Sequence, residues 1–413
     1  MLVSELLAGS TQKVQAGHRV RSAEDTFRRV ESKFSEYGIT RLANITGLDR
    51  IGIPVYLAVR PNSRSLSVSQ GKGIDAASAK VSAAMESIET WHAERPECAI
   101  RFERWADLHR QALTLDPTEL PLARDSWYTP HRILPWTQGV DLVSGQAVWT
   151  PFELVHADAT VPRMPGSGCF SFSTNGLASG NVLAEAALHG VCEVIERDAI
   201  ALWKQRSQQE QRRTRLNLAT IDEPACVSLL ESFRCAGLVV MAWDVTSDID
   251  VPACMVQLFD LAADEVIAPF ATAFGAGCHP QRTVALSRAL TEAAQSRLTA
   301  ISGSRDDGTR RIYLAAHSRE AYQHYKDLSI GDGEAVFRGD EQPRRDTIEA
   351  DLGFVIERLK CAGIDRLMLV DLSREDSPIA VARCIVPGLE GPSSSPSYVA
   401  GRRAATCRVD SVQ

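Results

Sequence analysis

The stretch from Asn175 to Trp203 places the tightest constraint on what this chain can fold into. From Val182 onward, Leu183, Ala187, Val191, Val194, Ile195, Leu202 and Trp203 recur at three- and four-residue intervals, which predicts a long helix with one buried face. Glu185, Glu193 and Glu196 ride on it. At about 100° per residue, Glu185 and Glu196 return to within about 20° of the same azimuth, and Glu193 sits one turn before Glu196. Asn181 lies one turn above Glu185, and Arg197 stands beside the lower pair. The column covers about 16 Å at 1.5 Å per residue, too long for one ion to touch throughout. A site built on it holds several cations or one extended, metal-bridged ligand.

The 413 residues, 44% of them hydrophobic, are enough to bury a substantial core in one large domain or in two to three lobes, with no evident internal repeat. A net charge of −7, and no Lys/Arg run with interleaved aromatics, argue against a nucleic-acid partner. The ten cysteines are scattered without a CxxC pair, which argues against structural zinc. Several, such as Cys254, sit in apolar runs as small thiols of a reducing compartment. The first ten residues lack a basic n-region and carry Glu5 inside a short apolar run, and no uncharged apolar stretch reaches the length of a membrane span. The expectation is a cytoplasmic protein with no membrane partner.

Residues 10–24 gather Lys13, His18, Arg19 and Arg21, either as a solvated arm or as a phosphate-contacting segment. A helix is predicted over 23–37, ended by Gly38, followed by strands at 53–59 and 65–69 joined by turn chemistry at Arg60-Pro-Asn-Ser. Gly71-Lys-Gly lacks the Walker spacing but makes a flexible, anion-friendly corner before the next helix. That helix, 76–93, carries Ser82, Glu86 and Glu89 on one face and Val81, Met85, Ile88 and Trp91 on the other. Glu-x-x-Glu thus occurs on two helices, at 86–89 and 193–196. A single such pair is ordinarily a solvated acidic face. Its repetition around apolar spacers points to oxygen-rich Mg²⁺ sites, because gathered carboxylates repel one another.

The remaining pattern is a hairpin at 140–149, a Gly/Ser-rich loop at 165–175, and strands at 237–244, 251–259 and 266–275. A third helix follows at 282–301, where Arg288 and Glu292 are spaced as an ordinary surface ion pair. A charged stretch at 303–345 reads as mobile surface. Helix 346–361, strands 367–371 and 378–386, and a loop-like tail from Glu390 close a mixed α/β (α+β) pattern.

In three runs the chain resembles the YcaO family, ATP-dependent enzymes that activate peptide backbone amides. These are Gly71-Lys-Gly with Ser82 to Glu89; Asn175-Gly-Leu-Ala-Ser-Gly with Glu185 through Glu193-Val-Ile-Glu196-Arg197-Asp198; and Ala289-Leu-Thr-Glu292-Ala-Ala-Gln295-Ser-Arg297. The likeness extends from about Lys13 to Arg383. It implies a YcaO-like fold of mixed β-sheets, with residues 1–70 joining the core, 71–390 forming the ATP-binding core, and 391–413 a flexible tail. It also implies ATP between the three helices with its phosphates bridged by Mg²⁺. By position, Glu86, Glu89, Glu185, Glu193 and Glu196 would hold the metals, and Ser82, Asn181, Arg197, Arg288 and Glu292 would surround the nucleotide. Lys13 would reach it from the N-terminal arm. Carboxylates bind a triphosphate only through divalent cations, and interspersed arginines supply the remaining countercharge.

In that family a nucleophile adds to a backbone carbonyl, and the resulting oxygen is phosphorylated and leaves as phosphate. A Cys, Ser or Thr side chain of the substrate gives an azoline, whereas external sulfide gives a thioamide. Azoline-forming members resemble one another in a proline-rich C-terminus, which the ending Cys407 to Gln413 lacks. Residues 38–55 and 385–390 resemble the TfuA-associated branch. The resemblance therefore implies thioamide formation on a precursor peptide with a TfuA-like partner, by a homodimer. The alternatives are an azoline-forming cyclodehydratase, an accessory factor for ribosomal-protein methylthiolation, and a non-catalytic peptide-binding scaffold. A di-iron centre would need paired Glu-x-x-His motifs, and His189 lies four residues after Glu185 without a second such pair.

Overall fold

Strands too short to stand alone, each running directly into a long alanine-rich helix, set the frame. The computed structural model describes residues 11–14, 18–260, 272–307, 323, 326–328, 331, 333–340, 344–395 and 398–410. Helix α1 (Ala23–Glu31) is capped by Ser22, whose hydroxyl accepts from Asp25 N. It stops short of the expected 37, and Gly38 takes a left-handed φ of 72° at the end of the following turns. Strands β1 (Arg41–Asn44), β2 (Val55–Val59) and β3 (Val68–Lys72) form an antiparallel sheet in that order, and β3 leads into α2 (Ala76–Glu94). Gly71 and Lys72 therefore belong to a strand and not to a loop corner. A Cβ on Gly71 would lie 2.0 Å from Ala83 N, so the glycine exists to let the α2 backbone close on the sheet.

The central sheet contains β4 (Arg101–Arg104), β5 (Ile133–Asp141), β6 (Ala147–Pro151) and β7 (Leu177–Gly180), the last leading into α3 (Leu183–Trp203). After α4 (Pro224–Cys235), strands β8 (Leu238–Asp244), β9 (Ala253–Asp260) and β10 (Thr272–Cys278) make a second antiparallel meander, and β10 leads into α5 (Arg282–Ser302). Helix α6 (Ile348–Cys361) precedes β11 (Met368–Asp371) and β12 (Ala380–Ile385). These strands complete the central sheet in the order β4-β5-β11-β12-β7, with β6 on β5.

Every pairing in that sheet is antiparallel, so alternate residues of β12 face opposite layers. Ala382 and Cys384 join the core beneath α3, while Val381 joins the core beneath α2. A third core lies between α5 and the second meander, where a Cβ on Gly277 would meet Ala285 O at 2.1 Å.

The strand–helix unit thus recurs as β3–α2, β7–α3 and β10–α5, an organisation that residue identities alone did not reveal. Gly73 precedes Glu86 and Glu89 by the same intervals at which Gly180 precedes Glu193 and Glu196.

The tail expected to be a flexible loop instead carries α7 (Arg402–Asp410). Glu390 accepts from Tyr398 Oη at 2.7 Å and from the Gly401 and Ala404 amides at 2.8 Å, and Arg403 Nε reaches Asp198 Oδ1 at 3.0 Å. Buried acids on the core side draw the segment in. The expectations for residues 1–10, for the strand portion 266–271 and for much of 303–345 lie outside the described residues.

Candidate functional site

Helices α2, α3 and α5 converge on one cleft and are cross-linked around it. Lys72 on β3 pairs with Glu292 on α5. Ser179 on β7 donates to Glu89 on α2 at 3.1 Å, and Arg288 on α5 lies 2.7 Å from His189 on α3. Each unit therefore holds another, and the acidic faces of α2 and α3 are fixed toward each other by strands placed far apart in sequence.

Four candidate metal-holding carboxylates occupy the lower part of the cleft, with Glu292 as a fifth acid beside them. Glu196 is 4% exposed, and its Oε1 lies 3.1 Å from Arg197 Nη1. Burial nevertheless pushes its carboxyl up to about 7 against the pull of Arg197. Glu86 is exposed to solvent on α2. Its surroundings push it up to about 7, chiefly by desolvation, with Glu193 adding to the effect and Lys72 and Arg305 opposing it. Glu89 is held well above the usual range by burial and then by Glu86 and Glu193. Burial raises Glu193 as well, against Arg197 and Arg383. For Glu292 the burial penalty is outweighed by Lys72 and Arg197, which hold it below its ordinary value.

These are acids whose mutual charge the protein alone leaves uncompensated. Among the described residues no three of these acids stand close enough to hold a cation by themselves; oxygen donors on two facing helices, with Lys72, Arg197 and Arg288 around them, fit hard divalent cations whose remaining ligands come from a bound polyanion.

The upper end is different. Glu185 is 3% exposed, and its oxygens are taken by Arg19 Nη1 at 3.0 Å, Val20 N at 3.2 Å and Asn181 Nδ2 at 3.3 Å. Asn181 Oδ1 in turn accepts from Thr26 Oγ1 at 2.8 Å. The N-terminal arm is thus not a free solvated segment here, because it packs on the head of α3. Glu185 lies in a small cleft with His18, Arg19, His189, His279 and Arg288, apart from the other four acids. His18 and His279 meet edge to face at 5.8 Å. His279 is 4% exposed, and burial, followed by His18 and Arg288, holds it well below its ordinary value, so its ring is neutral; His18, which is exposed, is pushed in the same direction by its surroundings and by Arg19 and Arg288.

Lys13 is near this cleft, but its ammonium is committed to Asp351 Oδ2 at 2.5 Å and to Arg345 O at 2.7 Å. Ser82 stands half-buried one turn before Glu86. Arg297, quoted in the third run, does not reach the cleft acids, since it binds Asp49 at 2.8 Å and Asp260 at 3.3 Å.

Several site residues escaped the reading of the sequence. Lys72 was visible as the lysine of Gly71-Lys-Gly, but its partner Glu292 was not. Ser179 lay inside the quoted run Asn175 to Gly180 without a role of its own, and His279, Arg305 and Arg383 carried no motif. Only Arg383 left a trace, as a lone cation in the apolar run Pro378 to Val386.

A frame of strand–helix units that gathers carboxylates and arginines into one cleft is the setting of a site for a polyanion bridged by divalent cations. The chain belongs to the YcaO family: the family model described as YcaO cyclodehydratase, ATP- and Mg²⁺-binding, matches residues 70–390. ATP and Mg²⁺ are accordingly its cofactors, and ATP-dependent peptide modification is its class of activity. A protein in the tfuA 3′ region of Rhizobium leguminosarum bv. trifolii is 38% identical over 97% of this chain and 96% of its own length. The YcaO structure from Methanopyrus kandleri bound with AMPPCP and Mg²⁺ shares the fold at a TM-score of 0.70 and 23% identity, over 92% of this chain and 95% of that one. A heterocyclase in complex with substrate and cofactor matches at a TM-score of 0.76 and 20% identity, over 98% of this chain and 57% of that one. Among the described residues, no helix is long and apolar enough to cross a membrane.

Proposed function

We propose that this protein activates a backbone amide of a ribosomally made peptide by ATP-dependent O-phosphorylation, and that with sulfide and a TfuA-like partner it converts the amide to a thioamide. The observation that carries the first half is the gathering of Glu86, Glu89, Glu193 and Glu196 opposite Lys72, Arg197 and Arg288, a charge pattern matched to metal-bridged phosphates. The second half is supported by the relative in a tfuA 3′ region.

Mg²⁺-bound ATP supplies the phosphoryl group that turns the amide oxygen into a leaving group. Glu86, Glu89, Glu193 and Glu196 would hold the cations, and Glu185, paired with Arg19 at the upper end, would contribute from there. Arg197 and Arg288 neutralise phosphate charge, while Lys72 keeps Glu292 ionised and in place. Ser82 and Asn181 orient the nucleotide, and Lys13 lines its far side through the Asp351 contact. The sulfur nucleophile forms a C–S bond at the carbonyl carbon, the resulting oxyanion accepts the terminal phosphoryl group as the P–O bond to ADP breaks, and loss of the sulfur-bound proton with C–O cleavage gives C=S and releases phosphate carrying the original amide oxygen. The protein acts in the cytoplasm as a homodimer, with peptide recognition shared with the TfuA-like protein.

The test incubates the protein, a TfuA-like partner, sulfide, Mg-ATP and a candidate peptide with ¹⁸O in its backbone amides. Labelled phosphate with a sulfur-for-oxygen mass gain is expected. Labelled phosphate with only loss of water would replace thioamidation by azoline formation, the second reading suggested by the family description. Unlabelled phosphate would overturn amide activation altogether.

A further inference from the structure

Arg383 lies in β12, in the middle of the central sheet, and is 3% exposed. It stands opposite Leu177 of β7, and Val381 stands opposite Ser179, so Arg383 and Ser179 are diagonal neighbours on one face of the sheet. Ser179 is the residue that holds Glu89. Two arms of the guanidinium are used: Nε donates to Leu154 O at 2.7 Å and Nη2 to Ser173 O at 2.5 Å. The third, Nη1, is buried without a hydrogen-bond partner. A simple anchor for the 152–154 turn and the Gly/Ser-rich loop would need only the first two.

Glu193 and Glu89 are the carboxylates whose charge acts on Arg383. Burial depresses the guanidinium to about 10, a desolvation that those acids only partly offset. Cations bound to Glu89 and Glu193 would cancel even that compensation. A guanidinium so placed is suited to another anionic partner, because a buried donor on a charged group is costly to leave unmade.

We infer that Arg383 Nη1 donates to an anionic oxygen at the reacting end of the bound ligand, either the terminal phosphoryl group of the nucleotide or the amide oxygen as it becomes the phosphorylated leaving group. The inference rests on the function proposed above and adds a catalytic residue to it. A planar, permanently charged donor is suited to meeting an oxygen on which charge develops.

The experiment compares wild type with Arg383→Lys and Arg383→Met. Thermal unfolding establishes that each variant folds. Equilibrium titration with Mg²⁺ and ADP, and with Mg²⁺ and a non-hydrolysable ATP analogue, is followed by steady-state turnover of peptide. A phosphoryl partner predicts at least a tenfold weaker affinity for the triphosphate analogue with ADP affinity unchanged. An amide-oxygen partner predicts unchanged nucleotide affinities, unchanged KM for peptide and kcat lower by about 100-fold, the scale of a lost oxyanion donor. Triphosphate affinity and kcat both within twofold of wild type in a folded variant would overturn the inference and leave the proposed function standing. Wild type that binds no Mg-nucleotide would overturn both. If neither variant folds, a crystal structure of wild type with Mg²⁺ and the triphosphate analogue, with and without peptide, decides the matter. A ligand oxygen at hydrogen-bond distance from Nη1 supports the assignment, and Nη1 bonded only to water or to a protein carbonyl removes it.

Discussion

Arg288 Nη2 lies 2.7 Å from His189 Nε2, and because a guanidinium only donates, the imidazole accepts there and carries its proton on Nδ1. Burial, followed by Arg288, Arg19 and Lys72, holds His189 well below its ordinary value and keeps it neutral. The ring thus positions Arg288 without competing for its charge. Replacing His189 with Leu should weaken Mg-nucleotide binding about tenfold, the size of one hydrogen bond to a charged group, with little change in thermal midpoint. Calorimetric titration checks this, and an unchanged affinity would remove His189 from the site.

Acids gathered for a ligand destabilise the protein that holds them. Glu193→Gln and Glu196→Gln each remove a charge from a buried acidic cluster, so each variant should unfold at the same temperature as ligand-free wild type or higher. Both should lose the stabilisation that Mg-ATP confers on wild type, along with ATP turnover. Differential scanning fluorimetry with and without Mg-ATP reads both effects. A large destabilisation without ligand would mean that these residues are structural.

The raised carboxyls also predict a pH dependence with a definite sign. The buried Glu196 is pushed up to about 7 in the folded chain, against 4.5 for the ordinary side chain, and the exposed Glu86 shifts in the same direction, so between those values the folded state binds more protons than the unfolded state. Their contribution to stability is present below about 4.5 and is lost as pH rises through about 7. Ligand-free wild type should therefore show a lower thermal midpoint at pH 8 than at pH 6, and the difference should shrink in Glu196→Gln. Mg-ATP binding should release protons at pH 6.5, measurable as a dependence of binding enthalpy on buffer ionisation.

The C-terminal segment is predicted to matter for stability. Asp198 is fully buried beside Arg197, and Arg403 Nε and Nη2 each reach it at 3.0 Å. Arg403→Ala leaves that carboxylate without its cation, at a cost of about 3 kcal/mol. Urea unfolding should register this loss, and Asp198→Asn in the same background should recover part of it.

Much of the frame is legible from periodicity, because a helix with a buried face must repeat its apolar residues every three or four positions. The helices predicted over 76–93, from Val182 and over 282–301 match α2, α3 and α5 within a residue or two at each end. Boundaries set by tertiary contact fared worse. The strand expected at 65–69 lies at Val68–Lys72, since its register follows the close approach of Gly71 to Ala83, which is invisible along the chain. The tail from Glu390 reads as loop because the acids that hold it, Asp198 and Glu390, act across the fold.

For the site, the carboxylates announce themselves because no ordinary surface need explains Glu-x-x-Glu on two apolar-spaced helices. The spacing of Glu86 to Glu89 and of Glu193 to Glu196 was determined by the sequence alone, and the nucleotide chemistry came from the family resemblance that these runs carry. What the tertiary structure decided is which charges meet. It seats Arg19 on Glu185, Lys13 on Asp351, Lys72 on Glu292 and Arg288 on His189, and it leaves Arg383 Nη1 without a partner. The reason is physical: a residue's place on its own helix follows from a fixed rotation per residue, whereas its partner depends on how strands distant in the chain align those helices, and no local interval encodes that alignment.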